Sequence, residues 1–173
     1  MRDKKTDNDA DSPDSPDLAS RLTEGHNQSL KLWLRMLSCT VRIENEIRSR
    51  LRASFNITLP RFDLMAQLER HPDGLRMGEL SRRMMVTGGN VTGITDQLER
   101  EQLVVRVPHR TDRRGYSVKL TDEGRRAFAE MAAVHEGWIA SMLKEMPAAE
   151  KAQMIALLAQ MKQRLDGLGQ DET

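Results

Sequence analysis

Arginine is concentrated in one short stretch of the sequence, RTDRRG, at residues 110–115. Arg110, Arg113 and Arg114 lie there beside Asp112, and the next residues, YSVKL, alternate between polar and apolar in the manner of a β-strand. Guanidinium groups are strong partners for phosphate, because their planar donors match its oxygens. Asp112 is better suited to orienting an arginine or capping the turn. The stretch therefore predicts an anion-binding tip on a hairpin.

The positive charge is local, because the whole chain of 173 residues has a formal net charge of only +1. From Arg106 to Arg126, seven basic residues stand against three acidic ones. Residues 1–25, in contrast, are rich in Asp, Ser and Pro, and we expect them to form a disordered acidic tail. This distribution favours contact with a polyanion at one place and argues against indiscriminate coating of nucleic acid.

Two short helices are predicted before the basic stretch. The pattern indicates an extended piece at Leu75–Met77, a helix at Gly78–Met84, a tight turn, and a second helix at Gly88–Gln102. Within the second helix, Asp96 and Arg100 have the i, i+4 spacing of an ion pair. Two helices joined in this way form the helix-turn-helix pattern, whose second helix enters the major groove of DNA.

The second helix has two different faces. Val91, Ile94 and Leu98 form an apolar face, and the opposite face contains Gly89 and Gly93. Each glycine costs about 1 kcal/mol of helix propensity relative to alanine, and close approach of the backbone to base edges would offset that cost. The residues that we expect to contact DNA from this region are Thr87, Gly88, Gly89, Asn90, Thr92 and Gln97.

Strands on either side of the basic tip complete a winged helix. Before the tip, Leu103, Val105 and Val107 alternate with Val104 and Arg106. A hairpin tip is narrow enough for a minor groove about 6 Å wide, where guanidinium groups meet concentrated negative potential. We therefore assign Arg110, Arg113 and Arg114 to phosphates and the minor groove. The alternative is a winged-helix module for dimerisation or protein interaction that binds no DNA, but such a module has no need of three clustered arginines.

Long amphipathic helices are predicted on both sides of the winged helix. The fold class that follows is mainly α with a small β-hairpin wing. Its parts would be a winged helix-turn-helix lobe at 57–121 and dimerisation helices at 26–55 and 122–168, within a single domain at 26–173. The apolar stripes of these helices exceed what one small winged helix can cover, and they predict a homodimer.

The segment from Ile57 to Gly124 resembles the MarR family of bacterial transcription regulators. The most specific match is DRRGYSVKLT, residues 112–121, which is similar to the wing signature of that family. The resemblance implies a homodimer, held by the first and last two helices, that binds a pseudo-palindromic DNA operator and releases it when a small ligand binds. It also implies that Arg114 enters the minor groove and that residues 88–97 read the major groove.

The same resemblance places an effector pocket between the long helices and the DNA-binding lobe. The residues that would line it are Trp33, Leu37, Phe62, Met65, Met131 and His135, with Arg35 or Arg42 available for an anionic group. The stretch VTGGNVTGITDQLE is similar to the recognition helices of family members that control aromatic-acid catabolism. We therefore expect a phenolic, aromatic carboxylate or aromatic acyl-CoA ligand, although Trp and Met at helical spacing also suit a plain core.

Other chemistries have little support in the sequence. The four histidines show no metal-ligand spacing, and no catalytic constellation or phosphate-cradling loop is evident, so we predict no enzyme activity, metal or cofactor. Cys39 is the single cysteine, and we expect a buried structural thiol there and not a peroxide sensor. No apolar run approaches a membrane span, which predicts a cytoplasmic protein. We expect a repressor, although the sequence contains no signal that separates repression from activation.

Overall fold

A computed structural model of the chain describes residues 28–108 and 115–168. The described residues form two compact units, which divide between Thr58 and Leu59. The mainly helical fold predicted from the sequence is confirmed, with one small antiparallel sheet in the second unit.

The first unit consists mostly of one helix, α1, at Gln28–Phe55. At about 1.5 Å per residue it is roughly 42 Å long. It ends where Asn56 takes a left-handed conformation at φ 51°, which asparagine tolerates better than most residues. The backbone N–H of Asn56 then donates to the carbonyl of Arg52 at 3.1 Å, which satisfies one of the last carbonyls of the helix.

Apolar residues are distributed unevenly along α1. Ile47 and Leu51 are buried near its C-terminal end. Nearer the N-terminus, large apolar side chains are exposed at helical spacing: Leu30, Leu32, Trp33, Leu37 and Val41. The expectation of a buried thiol at Cys39 is wrong, because Cys39 lies in this N-terminal part of α1, where none of the helix's buried residues fall, and is exposed.

Three helices pack together to form most of the core of the second unit. They are α2 at Leu59–Glu69, α3 at Met77–Met84 and α4 at Gly88–Arg100. Their fully buried apolar side chains are Leu64, Met65, Leu68, Leu80, Val91 and Leu98. This shared core fixes how α3 and α4 are oriented relative to each other, because all three helices contribute buried apolar residues to it.

The sheet has three strands in the order β1-β3-β2, all antiparallel. They are β1 at Leu75–Arg76, β2 at Val104–Pro108 and β3 at Tyr116–Leu120. The extended piece predicted near Leu75 is therefore an edge strand, which pairs with β3. The hairpin of β2 and β3 has the register Val104 opposite Leu120 and Pro108 opposite Tyr116.

The burial of β2 is the opposite of the predicted alternation. Val104 is buried, whereas Val105 is 39% exposed. The reason is the register, which places Val104 on the same face as the buried Leu120 and Val118. Arg106 shares that face and is accommodated there by pairing with acids, as described below.

Two helices complete the second unit, α5 at Asp122–Met142 and α6 at Ala148–Leu168. The hydroxyl of Thr121 caps α5 by accepting from the backbone N–H of Gly124 at 2.9 Å, as predicted for a helix start. A Cβ atom at Gly124 would lie 1.9 Å from the carbonyl oxygen of Leu103, so only glycine fits where α5 crosses the chain before β2. Among the described residues, no helix is both long and apolar enough to cross a membrane.

Candidate nucleic-acid interface

The turn between α3 and α4 is short and tightly bonded. Met85 takes a left-handed conformation at φ 54°, and its side chain is 93% exposed. Ser81 closes the turn from both sides, because its carbonyl accepts from the backbone N–H of Val86 at 3.2 Å and its hydroxyl donates to the carbonyl of Val86 at 2.6 Å. The turn therefore holds α4 in a defined direction on the core, which is the geometry of a helix-turn-helix.

The DNA-contacting residues predicted on α4 share one property, which is exposure. Thr87, Gly88, Gly89, Asn90, Thr92 and Gln97 are all exposed. The hydroxyl of Thr92 donates to the carbonyl of Gly88 at 3.0 Å, so its methyl group and the acceptor lone pairs of its oxygen are what it offers outward. Thr87 precedes the helix, and its side chain makes no capping hydrogen bond to it. The first amides of α4 are therefore not capped by Thr87, and amides at a helix start suit a phosphate.

The buried side of α4 differs slightly from the prediction. Val91 and Leu98 are fully buried as expected, but Thr95 occupies the third buried position, and Ile94 is only half-buried. The hydroxyl of Thr95 donates to the carbonyl of Val91 at 2.8 Å. A buried hydroxyl costs little when it is bonded within its own helix, and this bond explains why threonine is tolerated there.

The glycines of α4 have no packing explanation within the described chain. A Cβ atom at Gly88, Gly89 or Gly93 would meet nothing within 4 Å. The packing of the unit therefore gains nothing from glycine at these positions. Gly89 and Gly93, which follow the first residue of the helix, also lower its helix propensity.

The predicted ion pair between Asp96 and Arg100 is wrong. The carboxylate of Asp96 instead accepts a hydrogen bond from the guanidinium of Arg106 on β2, and Arg106 also donates to Glu99. Arg100 donates from Nε to the backbone carbonyl of Asp96 at 3.1 Å. Arg106 is better placed than Arg100 for Asp96, because β2 packs alongside α4.

Arg106 lies in an acidic and partly buried setting. Partial burial alone would lower the pKa of its guanidinium, but hydrogen bonds and charge attraction from Asp96 and Glu99 outweigh that effect and raise the pKa above its ordinary value. The guanidinium also lies 5.4 Å from the ring centre of Tyr116, the first residue of β3. Arg106 therefore stays charged and joins three elements.

The three wing arginines, Arg110, Arg113 and Arg114, lie outside the described residues, so their assignment stays a prediction. The described strands lead to and from that segment, since the last pair of the hairpin is Pro108 opposite Tyr116. Two further basic residues were missed in the sequence, Arg82 and Arg83, which are exposed in the last turn of α3. In helix-turn-helix proteins the first helix crosses the DNA backbone, and consecutive arginines at the end of that helix were the available signal.

The predicted effector residues fall in both units. Four of them are exposed on α1: Trp33, Arg35, Leu37 and Arg42. The other four belong to the second unit, where Phe62, Met65 and Met131 are buried and His135 is half-buried. Whether they bind a ligand stays a prediction.

Aromatic rings connect α2 to α5 in this region. The ring centre of Phe62 lies 5.4 Å from that of Phe128 and 5.0 Å from that of His135. His135 also lies 6.5 Å from Trp138 in an edge-on arrangement. Burial among these rings lowers the pKa of His135 below its ordinary value. In the described part of the chain, no three His, Cys, Asp or Glu side chains are grouped as a metal site requires.

A buried helical core, an exposed second helix and a two-stranded wing together define a winged helix-turn-helix protein of the DNA-binding class. The model of the MarR family matches residues 55–115. HTH-type transcriptional repressor MdtR of Bacillus subtilis (strain 168) is 31% identical over 107 residues, which are 62% of this chain and 68% of that protein. HTH-type transcriptional repressor YetL of the same organism is 27% identical over 138 residues, which are 79% of this chain and 82% of that protein.

Solved structures agree with these relatives. The crystal structure of a MarR family transcriptional regulator from Silicibacter pomeroyi is 29% identical, with a TM-score of 0.70 over 83% of this chain and 99% of that one. The chain therefore belongs to the MarR family of transcriptional regulators, which bind DNA and are not enzymes.

Proposed function

We propose that this protein is a homodimeric repressor that binds a pseudo-palindromic operator and is released from it by a small aromatic ligand. The observation that carries the proposal is the exposed face of α4, where glycines without a packing role lie among Asn90, Thr92 and Gln97. Repression is favoured because both curated relatives described above are named as repressors. Its place of action would be the cytoplasm.

The roles of individual groups follow from the chemistry of the grooves. Amide side chains such as Asn90 and Gln97 can donate to and accept from the edge of adenine in the major groove, and the methyl group of Thr92 suits that of thymine. Arg110, Arg113 and Arg114 would follow phosphates into the adjacent minor groove, and Arg82 and Arg83 would contact the backbone beside α3. The base contacts would give specificity, and the arginines would give most of the affinity.

Two sets of exposed apolar residues support the homodimer. One is on α1 and includes Trp33, Leu37 and Val41; the other is on α6 and includes Leu157 and Leu158. Large apolar stripes of this kind mark protein interfaces. A second copy of the chain is the natural occupant, because a twofold-symmetric dimer presents two recognition helices to two half-sites about one DNA turn apart.

The aromatic ligand is supported by the rings around His135. A flat aromatic compound could pack against Phe62, Phe128 or Trp138, and a guanidinium group would suit an acid group on that compound. Phenolic compounds, aromatic carboxylates and aromatic acyl-CoA thioesters all satisfy this description.

A titration tests the proposal. Duplex DNA from upstream of the protein's own gene is titrated with wild-type protein and with Arg114→Ala, followed by fluorescence anisotropy at several salt concentrations. We expect tight binding that falls steeply with salt, because phosphate contacts release counterions, and about tenfold weaker binding by Arg114→Ala.

The same titration distinguishes the alternatives. A panel of aromatic acids and their CoA thioesters is added to the complex, and release by one compound identifies the effector. Absence of DNA binding at every salt concentration would favour the protein-interaction module. A reporter gene whose expression falls when the protein is removed would show an activator instead of a repressor.

A further inference from the structure

Arg106 makes contacts that cross from the recognition helix to both strands of the wing. Its guanidinium donates to Asp96 and Glu99 on α4, and it lies against the ring of Tyr116 on β3. Its own backbone N–H donates to Oε1 of Glu99 at 3.2 Å. Glu99 therefore holds both the main chain and the side chain of one residue of β2.

The position of these contacts within the hairpin matters. Arg106 is two residues before Pro108, where the paired part of β2 ends, and Tyr116 is where β3 begins. Arg106 itself lies at the middle of β2 opposite Val118, but its contact with Tyr116 reaches the last pair of the hairpin. The proximal end is held separately by the buried pair Val104 and Leu120.

Arg106 is too occupied to serve as a simple phosphate contact. Its side chain is 22% exposed, and both terminal nitrogens of its guanidinium donate to carboxylates. Two acids beside an arginine also repel an approaching phosphate. From the sequence alone, Arg106 is one more basic residue of the wing. In the structure, its side chain instead connects elements within the second unit.

We propose that Arg106 is a positioning residue that holds β2 and the first residue of β3 against the recognition helix, and that the proposed DNA contacts of the wing depend on this link. This inference rests on the proposed binding of DNA by α4 and the wing. It predicts that the energetic contribution of the wing arginines depends on Arg106, although Arg106 itself touches no DNA.

A matched control is available in the same unit. Arg61 on α2 has an 11% exposed side chain and pairs with Glu101, just after α4. In both Arg61 and Arg106, the Nε atom is buried without a hydrogen-bond partner among the described residues. Arg61→Met and Arg106→Met therefore each remove one largely buried charge that is paired with acid, but only the second removes the link between α4 and the wing.

The experiment is a double-mutant cycle on DNA binding. The wing variant Arg113→Ala/Arg114→Ala is made in three backgrounds: wild type, Arg61→Met and Arg106→Met. Affinity for duplex DNA from upstream of the gene and its salt dependence are measured at a temperature where circular dichroism shows every variant folded. Coupling between residues that act together is what such a cycle isolates.

We expect Arg106→Met to weaken DNA binding about tenfold. It should also reduce the salt dependence of binding by more than the loss of one positive charge explains. In the Arg106→Met background, Arg113→Ala/Arg114→Ala should weaken DNA binding by less than about threefold. In wild type and in Arg61→Met, the same two substitutions should weaken DNA binding by more than that, and by equal factors. An equal cost in all three backgrounds overturns the inference and leaves the proposed function intact. If wild type binds no DNA, the proposed function and this inference fail together.

A second variant separates positioning from direct contact by the sign of its effect. Asp96→Asn/Glu99→Gln removes two negative charges beside the DNA, so electrostatics alone predicts tighter binding. Loss of the contacts that position the wing predicts weaker DNA binding and a smaller salt dependence of that binding. Tighter binding by this variant would overturn the inference.

Discussion

At the scale of single residues, two helical glycines have opposite explanations. A Cβ atom at Gly89 would meet open space, whereas one at Gly124 would collide with the carbonyl oxygen of Leu103. Gly124 is therefore required by the fold of the second unit itself. Gly89 is not required in this way, and the proposed approach of DNA to α4 would account for it.

Substitution of these glycines should separate stability from DNA binding. Gly89→Ala should raise the free energy of unfolding by up to about 1 kcal/mol, because alanine favours the helix, and should weaken operator binding by crowding the bases. Gly124→Ala should instead lower the free energy of unfolding by about 2 kcal/mol or more. Urea unfolding and anisotropy titrations measure both quantities. A Gly89→Ala protein with unchanged affinity would show that α4 does not approach DNA closely there.

At the scale of elements, α2 and α5 are connected by a cluster of rings. Phe62 contributes from α2, and Phe128, His135 and Trp138 contribute from α5. A protonated imidazole is unfavourable in that setting, because burial lowers the pKa of His135. We therefore expect the packing of these two helices to depend on pH.

The direction of the pH effect follows from linkage. The folded-state pKa of His135 is below the ordinary value near 6.5, so the unfolded chain takes up a proton first as the pH falls. The contribution of neutral His135 to stability is complete above about pH 6.5 and is lost as the pH falls through the folded-state pKa. His135→Phe keeps a ring but cannot titrate. Urea unfolding near pH 7.5 and near pH 5 should show a smaller loss of stability in His135→Phe than in wild type, and equal losses would contradict the assignment.

At the scale of the whole molecule, each unit has apolar surface that it does not cover itself. On α6 these side chains include Met154, Ile155, Leu157, Leu158 and Leu165. Because they are exposed in the single chain, their replacement should not disturb its core. Their effect should appear only in association between copies.

A charge on α6 should therefore convert the proposed dimer to monomers. Leu157→Glu/Leu158→Glu places two carboxylates where the stripe would be buried, which is strongly unfavourable. Light scattering after gel filtration should report the mass of one chain for this variant and of two chains for wild type. Gln153→Glu, an exposed polar position on the same helix, is the matched control and should stay dimeric. A wild-type protein with the mass of one chain would contradict the homodimer.

Sequence patterns predicted the elements well because their signals are local. The 3.6-residue periodicity located α1, α3 and α4 to within about two residues of the observed ends. The cap of α5 is equally local, because the hydroxyl of Thr121 bonds to an amide only three residues away. The wing signature at 112–121 was specific enough to indicate the MarR family, which the comparisons confirm.

The partners across the fold were decided only by tertiary structure. Asp96 was expected to pair with Arg100 four residues away, but it pairs with Arg106 on another element, because register and packing bring β2 against α4. The pairing of Leu75 with Val118 and the exposure of Cys39 were likewise not encoded in any local pattern. By itself, the sequence determined which segments are helices and strands and to which family they belong. Which charges meet was left to the three-dimensional packing, because contacts between distant residues depend on how all the elements are placed at once.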